Sequence, residues 1–299
     1  MTQDSTQQPP RRFKPLRLLF WLLVAGFVLT ILANVLGPDM DLSGEDRVAL
    51  IRVEGVILDA HQTVSDLKRY AESPSVKAIV LRIDSPGGGV VPSQEIHDAV
   101  KRVRNKNNKA VVASMGTVAA SGGYYIAAAT DRIIANPGTL TGSIGVIMEL
   151  ANLEGLLKKI GVESVVVKSG QHKDIGSPFR KMDESDRRIL QAVMDDVHRQ
   201  FIEAVAEGRA LDVRDVQPLA DGRIFTGRQA VAAKLVDELG DLEDAIRLAG
   251  EMGGIEGEPK VVEPKRRFSI RELLESHLFG SLPRLDFQTG VSLKYLMAF

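Results

Sequence analysis

A serine hydroxyl can serve as a nucleophile when small neighbours let a carbonyl carbon approach it. Ser121 has that setting. It lies in Ala119-Ala120-Ser121-Gly122-Gly123-Tyr124-Tyr125, after the run KAVVASMG. A helix over residues 124–129 would put the serine at a helix N-terminus, where developing negative charge is stabilised. The same residues also suit an N-cap serine flanked by small side chains for tight packing. The nucleophile elbow GxSxG is absent, because residue 119 is Ala.

A nucleophilic serine needs a base, and the segment SGQHKDIGSP (residues 169–178) offers two. One is His172 with an acid such as Asp174; the other is Lys173, since a partly desolvated amine can take the hydroxyl proton. Taken alone, a loop lysine is equally a solvated surface charge. Two more turns are rich in glycine and hydroxyls. In Asp84-Ser85-Pro86-Gly87-Gly88-Gly89, three successive glycines can bring bare N–H groups against a ligand, as a phosphate cradle or an oxyanion hole, or can simply make a turn. No GxGxxG pattern and no P-loop lysine accompany them. The hydroxyls of PGTLTGSIG (residues 137–145) can orient a catalytic group or satisfy turn backbone.

These turns must be held by regular elements. Val- and Ile-rich runs at 47–55, 76–84, 109–115, 131–135, 144–148 and 164–167 predict strands. Amphipathic stretches at 65–72, 93–104, 152–160 and 185–209 predict helices between them, and 213–220, 227–235 and 242–252 continue the helical pattern. Strands alternating with helices imply an α/β fold with a mostly parallel sheet covered by helices. No internal repeat is present. A single α/β domain over 47–254 would leave 255–299 as a C-terminal extension without an evident role.

Composition narrows the chemistry. A net charge of −1 and 5% aromatic residues give no case for nucleic-acid binding. With no cysteine, disulfides, thiolate catalysis and cysteine-type zinc sites drop out, and the five histidines form no HExxH pair. The scattered histidines do not match the ligand spacings a metal requires. The amino-terminal region predicts a membrane anchor: residues 18–36 (LLFWLLVAGFVLTILANVL) carry no charge and just span about 30 Å of hydrocarbon. Arg11, Arg12, Lys14 and Arg17 precede it, and Asp39, Asp41, Glu45 and Asp46 follow. That asymmetry keeps residues 1–17 in the cytoplasm and puts everything after the 37–46 linker outside.

In order, DSPGGG, SMGTVAASGGYYIAAA, NPGTLTGSIGV and KSGQHKDIGSP closely resemble the signal peptide peptidase A family of the Clp protease/crotonase superfamily, in its short, single-domain form. The resemblance runs from about residue 47 to 239 and implies the ββα-repeat fold of that superfamily. It implies Ser121 as nucleophile, Lys173 as general base and Ser143 as the hydroxyl that orients the lysine amine. The Gly88 amide becomes the main oxyanion donor and the Gly122 amide a weaker one. It further implies a serine endopeptidase without cofactors, single-pass in the bacterial inner membrane, with its protease domain on the periplasmic side. Its expected substrates are signal peptide remnants and other apolar peptides. Its expected assembly is a homo-oligomer, an octamer in the short form, whose active sites are shared between neighbouring subunits. The tail could pack over or into such a site. Other readings within reach are a protease dedicated to one membrane-associated protein, an acyl-CoA-processing crotonase and an inactive membrane scaffold.

Overall fold

Along β1 (Arg47–Glu54), Val48 and Leu50 point to one side and Ala49, Ile51 and Val53 to the other, and all five are buried. A strand apolar on both faces needs cover on both, and a helix-flanked parallel sheet supplies it. The structure, a computed structural model, describes residues 20–27, 45–264 and 294–297.

The main sheet contains β1, β2 (Val76–Ser85), β4 (Ala110–Ala120), β5 (Arg132–Ala135), β6 (Leu140–Gly142), β7 (Ile224–Thr226), β8 (Glu238–Leu239) and β9 (Lys260–Val262). Its order is β7-β6-β4-β2-β1-β9, with β5 also pairing β4 and carrying β8. Every pair is parallel except β6 with β7. A separate antiparallel pair joins β3 (Gly87–Gly89) to β10 (Lys294–Leu296).

On one face, α7 (Leu242–Met252) buries Ala245, Ile246 and Ala249 against Val48, Leu50, Ala78, Val80, Val112 and Ile134. The larger core lies on the other face. There α1 (His61–Glu72), α2 (Val90–Asn107), α3 (Gly122–Ala128) and α5 (Glu184–Arg209) bring residues such as Leu67, Ile96, Val100, Tyr124 and Phe201. Each fully buried Leu, Ile or Phe contributes on the order of 1.5–3 kcal/mol, so this layer fixes the frame on which the turns sit.

One irregularity aims the chain at the candidate site. β2 and β4 stay in register to Ile83–Met115 and then resume at Ser85–Ala119, two residues longer on β4. The Asp84 carboxylate accepts the Val118 N–H at 3.1 Å inside this bulge. A Cβ on Gly116 would stand 2.7 Å from the Asp84 Cγ, so a side chain there would displace the carboxylate. Bulges of this kind re-aim a strand; this one delivers Ser121.

Two expected strands do not form. After Ser143 the chain leaves the sheet, because β7 already occupies the free edge of β6; of residues 144–148 only Ile147 pairs, in an isolated bridge to Lys294. The 164–167 run stands in solvent instead, with Val165 81% and Val167 97% exposed. The helix expected over 152–160 shrinks to α4 (Glu154–Lys159), which buries nothing, and that over 213–220 becomes α6 (Val213–Val216) with a 3-10 turn after it. The sheet also continues past residue 254, through β9.

The chain divides into two compact units, Met1–Glu45 and Asp46–Phe299. In the first, residues 20–27 are helical and expose Phe20, Trp21, Leu22, Leu23 and Phe27. The rest of the expected 18–36 span lies outside the described residues, as do residues 265–293 of the extension. Among the described residues no helix is long and apolar enough to cross a membrane.

Candidate active site

Ser121 joins β4 to α3 with φ 53° and ψ −116°, a conformation that side-chain-bearing residues rarely hold. Two backbone bonds fix it there: its N–H donates to the Gly142 carbonyl at 2.8 Å, and its carbonyl accepts from the Tyr125 N–H at 2.8 Å. The side chain makes no capping bond to α3. Its hydroxyl is buried and has no hydrogen-bond partner among the described residues. The N-cap reading therefore fails, and a strained backbone holding an unpaired hydroxyl remains.

The glycines around it are demanded by close packing. A Cβ on Gly122 would lie 2.5 Å from the Ser93 hydroxyl and 3.3 Å from the Gly88 nitrogen, and one on Gly123 would lie 3.0 Å from the Ser85 carbonyl oxygen. Gly87–Gly89 is thus pressed against the start of α3, which brings the Gly88 and Gly122 amides to one place. On the far side Gly88 bridges Ile57, where the Gly89 N–H donates to the Ile57 carbonyl at 2.8 Å. A Cβ on Gly88 would collide with that same carbonyl.

Along the open edge of β3 lies the carboxy-terminal strand, with Tyr295 in register with Gly88. The Met297 N–H donates to the Pro86 carbonyl at 2.9 Å, and Lys294 and Ile147 exchange backbone bonds of 3.2 and 3.3 Å. An extended segment is therefore threaded between the glycine strand and Ile147. The Tyr295 carbonyl oxygen occupies the space a Cβ on Gly87 would need, a point 2.8 Å from the Gly122 nitrogen. Its ring is fully buried, stacked on Tyr125 at 5.2 Å between centroids and tilted against Phe201 at 4.7 Å, and His97 backs Tyr125 at 4.7 Å. The Tyr295 hydroxyl donates to the Val197 carbonyl at 3.3 Å. Burial pushes the Tyr125 phenol up to about 12 and raises that of Tyr295 as well. Beyond the strand, a cavity of about 520 Å³ opens between Ser143, Ile147, His198, Asp221, Leu296 and Met297.

Ser143 sits beside Ser121 because the residues before them, Gly142 and Ala120, are paired across β6 and β4. Like Ser121 it has a positive φ, 51°, held by a 2.8 Å bond from its N–H to the Arg223 carbonyl. Four of the five expected site residues are thus brought together: Ser121, Ser143, Gly88 and Gly122.

Lys173 is not among them. It is exposed on a turn closed by its own N–H to the Gly170 carbonyl at 3.2 Å, and no hydrogen bond or ion pair links it to Ser121 or Ser143 among the described residues. His172 stands on the same turn, and its Nδ1 meets the Asp186 carboxylate at 2.8 Å rather than Asp174. Asp174 is engaged by Arg180 and Lys168, which hold its carboxyl well below the usual carboxylate range. Sequence reasoning missed Asp186, Arg180, Ile147 and the Tyr125–Phe201 box. No motif flags them: the partners of Ile147 and of the Tyr125–Phe201 box lie far off in sequence, and those of Arg180 and Asp186, 6 to 14 residues away, follow no helix or strand spacing.

Two family models match the chain: peptidase family S49 over residues 103–255 and Clp protease over residues 50–139. A Synechocystis protein named "Putative protease" is 46% identical over 215 residues, covering 72% of this chain and 77% of that protein. An Enterococcus faecium protein named "Putative signal peptide peptidase SppA" is 39% identical over 213 residues, 67% of this chain and 62% of that protein. Protease 4 of Salmonella typhi is 34% identical over 256 residues, 79% of this chain but 41% of its own greater length.

Proposed function

This chain belongs to peptidase family S49 and is a serine protease of the signal peptide peptidase A family, and from that premise we propose that it is a membrane-anchored endopeptidase in which Ser121 is the nucleophile and Lys173 of a neighbouring subunit is the general base. The observation that carries the reading is the buried Ser121 hydroxyl, unpaired among the described residues, on a strained backbone next to a glycine strand that already holds an extended chain segment.

Substrate would bind as the 294–297 segment does, by strand addition to Gly87–Gly89 with Ile147 on its other edge. Main-chain bonds would give affinity, and apolar pockets such as that around Tyr125 and Phe201 would favour apolar side chains. The Ser121 oxygen attacks the peptide carbonyl carbon as its proton passes to the neutral Lys173 amine. The carbonyl oxygen becomes an oxyanion facing the Gly88 and Gly122 N–H groups. Collapse of the tetrahedral intermediate breaks the C–N bond, and the lysine ammonium returns the proton to the leaving amine. Water then repeats the sequence on the acyl-enzyme, releasing the new carboxyl end and Ser121. Ser143 would accept a hydrogen bond from the lysine amine and hold it in line.

Sharing the site between subunits accounts for an exposed Lys173 and for the solvent-facing run at 165–167, which an adjoining copy would cover. Anchoring through residues 18–36 accounts for the exposed apolar helix at 20–27. Remnant signal peptides, apolar and left in the bilayer, suit such an enzyme, and the Enterococcus relative's name points the same way.

The test is cleavage of a synthetic signal peptide by the full chain, with Ser121→Ala, Lys173→Ala and an equimolar mixture of the two co-assembled. Each variant alone should be inactive, and the mixture should recover part of the activity, because some interfaces pair an intact serine with an intact lysine. An inactive mixture would refute shared sites, and an active Ser121→Ala would refute the nucleophile.

A further inference from the structure

The turn that carries Lys173 has nothing apolar to stand on: none of residues 145–185 is buried. A catalytic base must nonetheless be placed within a fraction of an ångström. What shapes the turn is a circuit of charged side chains that grips both sequence neighbours of the lysine.

On one side, His172 Nδ1 meets Asp186 Oδ1 at 2.8 Å. On the other, Asp174 accepts the Arg180 fork, Nε on Oδ2 and Nη2 on Oδ1, both at 2.9 Å, and also Lys168 Nζ at 2.7 Å. Arg180 Nη2 closes the circuit on Asp186 Oδ2 at 2.5 Å. Asp186 is its fixed point. It is 1% exposed in the first turn of the 26-residue α5, and its N–H is capped by the Asp183 carboxylate at 2.8 Å. The far end of the segment is tied to α4, where the Leu153 N–H donates to the Pro178 carbonyl and the Lys181 N–H to Glu154 Oε2. Forked, charge-assisted bonds of this kind fix orientation as well as distance.

We propose that Arg180 and Asp186 are positioning residues for the general base, acting by clamping His172 and Asp174 so that Lys173 is presented to the adjoining subunit in one orientation. The inference rests on Lys173 being the base. Arg180 holds the Asp174 carboxyl far below its ordinary range, and the His172 contact lowers that of Asp186, so both carboxylates stay ionised when the solution turns mildly acidic.

The experiment uses the full chain and two substitutions, Arg180→Ala and Asp186→Asn. It reads kcat and KM on a signal peptide, and the rate at which a fluorophosphonate labels Ser121. Each substitution should lower kcat by about 10- to 100-fold, the usual effect of misplacing a catalytic group by an ångström, with KM within about twofold. In a Lys173→Ala background the slow labelling of Ser121 should be unchanged by either substitution, because a clamp with no lysine to hold has no effect. Further slowing in that background overturns the proposal, as does wild-type kcat in both variants while Lys173→Ala is inactive. Sedimentation reports assembly: if only Arg180→Ala dissociates, Asp186→Asn decides, and if both dissociate the circuit is an interface prop and the proposal fails. Wild-type turnover in Lys173→Ala itself would instead refute the base assignment.

Discussion

Replacing Ser121 by Ala should make the protein more stable while abolishing its activity. The hydroxyl is buried and unpaired among the described residues, and an unsatisfied buried polar group costs about 1–3 kcal/mol. Alanine removes that cost and gives up only the few dispersion contacts of one oxygen, at about 0.1–0.2 kcal/mol each. A net gain of about 1–2 kcal/mol remains, which in a folded unit of this size raises Tm by about 2–8 °C. Ser121→Gly should add relief of the φ 53° strain, about 1–3 kcal/mol, offset by about 0.5–1 kcal/mol of glycine chain entropy. The measurement is calorimetry of both variants in a Lys173→Ala background, so that no lysine from another subunit can pair with the hydroxyl. A structural serine behaves in the opposite way. Loss of an N-cap costs about 1 kcal/mol, so a Tm that falls by 2 °C or more in Ser121→Ala would refute the argument that the hydroxyl is unpaired and kept for chemistry.

Gly88→Ala should damage stability and catalysis together. The added methyl would run into the Ile57 carbonyl and stand 2.5 Å from the Ile57 nitrogen, so backbone must move, at about 1–3 kcal/mol; displacing an oxyanion donor should lower kcat by about 10²–10³-fold, and a variant with wild-type kcat would remove Gly88 from the site. His97 supplies the pH dependence: burial lowers it from its ordinary 6.5, against the opposing pull of Asp98. Below pH 6.5 the unfolded chain therefore binds a proton that the folded chain resists, so this contribution to stability is present above 6.5 and is lost as pH falls through the folded value. Urea midpoints at pH 8, 6.5 and 5 should show a smaller acid-side drop in His97→Gln than in wild type, and parallel curves would refute the assignment.

How much of this was legible beforehand follows from where the physics is local. The strands at 47–55, 76–84 and 131–135 were readable because a strand buried on both faces must be an apolar run with turn residues at its ends. Val165–Val167 shows the limit of that reading, since β-branched residues favour a sheet only where one offers an edge and a cover, and among the described residues none does. Residues 144–148 fail for a related reason, as β7 takes the edge they would need and comes from about eighty residues later in the chain.

At the site, the amino-acid order already holds the ingredients: a serine among glycines and alanines, a glycine strand before it, a hydroxyl turn after it and a lysine in a polar loop. Local composition is enough for that, because close approach of backbones permits only the smallest residues. The tertiary structure alone decided which of these meet. Pairing of Ala120 with Gly142 sets Ser143 beside Ser121, and the pressing of β3 onto α3 gathers the Gly88 and Gly122 amides. It also decided that Lys173 stands apart, and that His172 turns to Asp186 rather than to Asp174. Such contacts join residues far apart in the chain. Their geometry depends on how whole strands and helices pack, and no short stretch of sequence carries that information.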